Sequence, residues 1–88
     1  MYESDIRIVE LIEHLKSLGR FDFDYEFCDK IGLLKQNLLR IKQDKAHFTA
    51  EHIENICKIY KVNANWIFGT SKKIFNDRKQ TLLKQIQV

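Results

Sequence analysis

Apolar residues recur three and four places apart along most of this chain, and no proline interrupts them. That spacing puts them on one side of an α-helix, so the chain must bury helical stripes against one another. Without proline, helix ends fall to glycine, asparagine and capping side chains. Ile8, Leu11, Ile12, Leu15 and Leu18 form the first stripe. They predict a helix over 5–17, capped by Ser4 and stopped at Gly19. Residues 20–25 alternate Phe and Asp like a strand, but no second such run exists to pair with them, so they are expected to be a connection. A second helix is predicted over 25–31, capped by Asp22 or Asp24, with Phe27, Cys28 and Ile31 inward.

Gly32 comes next, where a tight helix-to-helix turn needs a positive φ that glycine adopts without strain. A third helix is predicted over 34–43 with Leu38 and Ile41 inward, followed by a polar link over 44–48. Thr49 then caps a helix over 50–60, whose apolar positions are Ile53, Ile56, Cys57 and Tyr60. Asn63 caps a short last helix through 68, in which Ala64, Trp66, Ile67 and Phe68 are expected in the core. The fold class is all-α: a five-helix unit over 1–69. The segment 70–88 is basic and amphipathic, carrying Ile74, Phe75, Leu82, Leu83 and Ile86. It is expected to be a frayed tail, an extra helix packing on the domain or a dimerisation element.

Eighty-eight residues make one domain. A unit of this size buries only about 60% of its unfolded surface, so association would help it. No apolar run approaches the roughly 20 residues of a membrane span, so no membrane partner is expected. The acidic, helix-periodic start does not form a signal peptide, which makes a cytoplasmic location the expectation. Cys28 and Cys57 fit buried free thiols in a reducing compartment.

Charge is unevenly spread. Residues 1–29 hold eight acids and three bases, a balance of −5, whereas 30–48 hold five bases and one acid, +4. A basic stretch starting in mid-chain suits a polyanion partner or a solvated helix face. His14, His47, His52 and Cys57 do not have metal-ligand spacing. No nucleophile–base ordering, carboxylate pair or phosphate-cradling glycine loop is present. No enzyme activity, cofactor, metal or small-molecule substrate is therefore expected.

Two short helices joined by a turn of three to four residues at Gly32 have the form of a helix-turn-helix. Phe27-Cys28-Asp29-Lys30-Ile31-Gly32-Leu33, with Leu38 and Arg40-Ile41, resembles that of the phage lambda repressor/Cro-like (Xre) family. Residues 49–60 resemble the family's fourth helix and 62–69 its closing segment, so the likeness spans 5–69. It implies a five-helix lambda repressor-like DNA-binding domain acting as a homodimer on a palindromic operator in double-stranded DNA, as a transcriptional repressor. Carried over by position, Lys35, Gln36, Leu39 and Arg40 would meet base edges. Asn37, Lys42, Gln43, Lys45 and His47 would hold phosphates, as would the backbone at the start of the second helix. The side chains suit this: glutamine pairs with adenine at two points, arginine or lysine with guanine, and leucine meets a thymine methyl. The other role for such a scaffold is a protein-interaction or antitoxin-like adaptor module, which exposed Leu34 and Leu39 would serve.

Overall fold

The first stripe buries itself nearly completely: Ile8, Leu11, Ile12 and Leu15 are each at most 1% exposed. They belong to α1 (Glu3–Ser17) of the computed structural model, which describes residues 1–76. The other helices are α2 (Asp24–Ile31), α3 (Lys35–Lys42), α4 (Ala50–Tyr60) and α5 (Ala64–Ile67). Among the described residues there is no strand beyond an isolated antiparallel bridge between Val62 and Phe75. No helix there is long and apolar enough to cross a membrane. The described residues are therefore all-α with five helices, as the periodicity predicts.

The ends differ from expectation in instructive ways. Helix α1 starts at Glu3 rather than Asp5, and Ser4 does not cap it. Instead Asp5 reaches back and accepts the backbone N–H of Tyr2 at 3.2 Å. The same carboxylate accepts the Phe48 amide at 3.0 Å and lies 2.6 Å from His47 Nδ1. Asp5 is fully buried, the one buried charged residue among those described. Leu18, expected in the stripe, is 54% exposed. The helix ends before it, and Gly19 turns the backbone left-handed at φ +76°. Phe21 fills the core instead, against Phe27 and Tyr60.

Neither Asp22 nor Asp24 caps α2. Phe23 holds the cap position, and Glu26 accepts the amides of Asp22 and Phe23 at 2.8 and 2.9 Å. This is the glutamate half of a capping box. Those two hydrogen bonds, the Phe23 one foremost, hold the Glu26 carboxyl below the usual carboxylate range. The turn to α3 forms as expected. Gly32 has φ +76°, and the Leu33 amide returns to the Cys28 carbonyl at 2.9 Å. Leu34 and Gln43 flank α3 instead of belonging to it, and no side chain caps its start.

Helix α4 opens on a reciprocal pair. Thr49 Oγ1 accepts from the His52 amide at 3.2 Å, and His52 Nδ1 accepts from the Thr49 amide at 3.0 Å. Asn63 caps α5 by accepting from the Asn65 amide. Trp66 and Ile67 close the core, but Ala64 is exposed and Phe68 is 56% exposed, against expectation. One turn of helix aims two neighbouring side chains inward, and those bracketing them face out. Cys28 is buried and Cys57 half-buried, both free, and burial pushes both thiols up.

Residues 70–76, the start of the C-terminal segment, pack onto the helical unit as a non-helical strap. The Asn63 amide donates to Ile74 O at 2.7 Å and the Asn76 amide to Lys61 O at 2.8 Å. Asn63 Nδ2 also donates to Lys73 O. Ile74 and Phe75 lie half-buried against the core. Leu82, Leu83 and Ile86 fall outside the described residues.

Because Asp5 serves three donors from two chain segments, Asp5→Ala is expected to lower the unfolding free energy by about 3 kcal/mol. Asp5→Asn, which keeps one acceptor oxygen, loses less. Urea denaturation with an unchanged slope is the measurement; equal stability of all three proteins would contradict it.

Candidate nucleic-acid interface

Leu38 and Ile41 fix the orientation of α3: they are 2% and 0% exposed and bind the helix to the core. At about 100° per residue, Lys35, Gln36, Leu39 and Arg40 then occupy an arc on the opposite side. All four are exposed. Gln43 falls within the same arc, and the structure places it exposed at the end of α3. Asn37 does not join them. It is half-buried, on the flank nearer the core. Lys35, Arg40 and Lys45 make no ion pair among the described residues, which leaves three free cations on and beside the helix.

Lys42 lies on the other flank and is engaged. Its Nζ is 3.4 Å from Asp24 Oδ2 at the start of α2. The other oxygen of Asp24 is ion-paired with Lys16 of α1. Helices α1, α2 and α3 are thus clamped through one carboxylate. Lys16, the larger influence, and Lys42 hold the Asp24 carboxyl below its usual range despite partial burial. Asp24 in turn raises Lys16. An acid at the mouth of a basic surface would repel a polyanion if left alone; here two ammonium groups answer it.

Asp44, the only acid between residues 30 and 48, is treated likewise. It takes a left-handed backbone at φ +62° just after α3, and the Met1 ammonium lies 2.9 Å from its carboxylate. That ammonium holds the Asp44 carboxyl low. His47 is anchored rather than free. Asp5 takes its Nδ1, and Tyr2 stacks on its ring at 3.9 Å between centroids. What remains for a phosphate is the Nε2 edge of a ring whose orientation is set.

A groove runs between the start of α2 and the outer side of α3, lined by Asp24, Lys35, Gln36, Leu38, Leu39 and Lys42. Exposed apolar side chains occur at the starts of both helices and on α3. Leu34 and Leu39 are 61% and 57% exposed. Phe23 and Tyr25 also lie exposed, stacked on each other at 5.8 Å. Sequence reasoning places the four outward side chains of α3 but misses both neutralising contacts. Lys16–Asp24 joins two different helices and Met1–Asp44 spans 43 positions, and neither follows a spacing rule. No group of three or more metal-ligating side chains occurs among the described residues.

No protein-family model, curated protein or solved structure matches this chain.

The clamp carries a pH signature. Asp24 is held low, so its contribution is complete above the ordinary carboxylate value of 3.8 and is lost as pH falls below it. Lys16 is held high, so its contribution persists through 10.5 and is lost only above that. Asp24→Asn is therefore expected to be less stable than wild type by a constant amount from about pH 5 to 9 and to show a shallower acid limb. Urea midpoints across pH test this, and identical acid limbs would contradict it.

Proposed function

We propose that this protein is a sequence-specific DNA-binding transcriptional regulator. In this reading it is a phage-type repressor on the lambda repressor/Cro-like pattern, working as a homodimer on a palindromic operator. One observation carries the proposal: α3 turns Lys35, Gln36, Leu39 and Arg40 outward together, while Asp24 in the adjoining groove and Asp44 just after the helix are each paired with ammonium groups of the chain. A helix so presented matches the width of the B-DNA major groove.

The division of labour follows from the chemistry. Arg40 and Lys35 supply donors suited to guanine, Gln36 the paired donor and acceptor suited to adenine, and Leu39 a surface for a thymine methyl. Lys45 and the outer edge of His47 meet phosphate. Lys42 does so while sharing its charge with Asp24. Two copies related by a two-fold axis would read half-sites about 34 Å apart.

Binding sites selected from random DNA provide the probe. Arg40→Ala is expected to cost about 1–3 kcal/mol of discrimination at one base pair. Lys45→Ala should weaken all sequences alike and reduce the slope of log affinity against log salt by about one. Unchanged discrimination in Arg40→Ala would remove the base-reading assignment. The exposure of Leu34 and Leu39 supports a second reading, a protein-interaction or antitoxin-like adaptor. It gains if no salt-sensitive DNA binding is found and Leu39→Lys abolishes binding to a protein partner.

A further inference from the structure

On α4, Ala50, Ile53 and Cys57 line a second groove, which α5 completes with Ala64 and Phe68. Ile53 and Cys57 are only half-buried, and Phe68 stands 56% exposed beside them. Glu54 and Lys58 form the rim, paired with each other at 2.6 Å. We propose that this groove receives the same face of a second copy of the chain. The inference rests on the dimeric form in the reading above and assigns it a surface.

A two-fold contact requires a patch that complements itself. This one does so in shape: Phe68 is a projecting ring, and Ala50 and Ala64 are small enough to leave a recess for one. It does so in charge as well. With the α4 helices crossing antiparallel about a point between Ile53 and Cys57, Glu54 of each copy comes within reach of Lys58 of the other. The intramolecular pairs exchange for intermolecular ones without leaving a charge unanswered. The chain's own residues 77–88 match the rim poorly, since they carry Arg78, Lys79 and Lys84 against one acid, Asp77. DNA finds a neutral, apolar surface there.

Sedimentation equilibrium of the full chain tests this without DNA. A dimer is expected, and Phe68→Asp should raise its dissociation constant roughly thirtyfold or more, the loss of one central aromatic anchor. Ala64→Arg, also at an exposed position, should do the same by filling the recess, with helical circular dichroism unchanged in both. Glu54→Lys and Lys58→Glu should each weaken self-association, and mixing the two should restore it. Cys57 should react with a maleimide more slowly in the dimer than in Phe68→Asp, because the contact covers it; equal rates would count against this surface.

A monomeric wild type would overturn the proposal, because the groove is then covered by the chain's own tail or by a foreign partner. A dimer untouched by Phe68→Asp and Ala64→Arg would overturn it too. A dimer that these variants break but that binds no DNA would keep this surface and remove the DNA reading. DNA binding by a chain that never dimerises would do the reverse.

Discussion

The carboxylate of Asp5 joins the start of α1 to the link between α3 and α4. It is fully buried yet remains satisfied, taking the Tyr2 amide, the Phe48 amide and the His47 ring. A buried charge is costly unless every lone pair is answered, so this site tolerates little displacement of its donors. Phe48 and His47 lie in the link between α3 and α4. Pinning that link to the start of α1 fixes where α3 ends and where α4 begins. The outward arc of α3 therefore depends on a polar bond on the far side of the chain as well as on Leu38 and Ile41.

The same economy governs the surface charge. The acid-rich first third and the basic middle are not left to meet a partner as separate fields. Lys16 from the acidic part crosses to Asp24, and Asp24 to Lys42, so three helices share one network. The N-terminal ammonium answers Asp44. Among the described residues, Lys35, Arg40 and Lys45 on and beside α3 are exposed and make no ion pair. Exposed ion pairs contribute little stability, and their larger effect here is to set the sign of the local field.

Helices were legible where a stripe repeats over two or more turns. The stripes of α1 and α4, the Gly32 turn and the Thr49 and Asn63 caps all follow from spacing and side-chain chemistry. Helix starts were less legible because a third-position acid can replace a cap, as Asp5 and Glu26 do and as Ser4, Asp22 and Asp24 do not. Leu18 and Phe68 were misplaced for a different reason. Each sits one residue past a helix end, where the 100° rotation that assigns faces no longer holds. At the candidate interface, local periodicity placed Lys35, Gln36, Leu39 and Arg40 on one side. The partners of Lys42, Asp44 and His47 came from residues 18 to 43 positions away, which only the folded chain reveals.

Helix α3 begins without a capping side chain and without an acid in its first turn. The backbone N–H groups of Lys35 and Gln36 therefore have only solvent to donate to, since helix starts leave their first donors unsatisfied. Their protons can be traded with water while the core stays shut, unlike those bonded deep within α1. The helix that turns Lys35, Gln36, Leu39 and Arg40 outward thus also presents bare backbone donors at its leading edge. An acceptor arriving from outside could take those donors, while Leu38 and Ile41 keep the rest of the rod against the core.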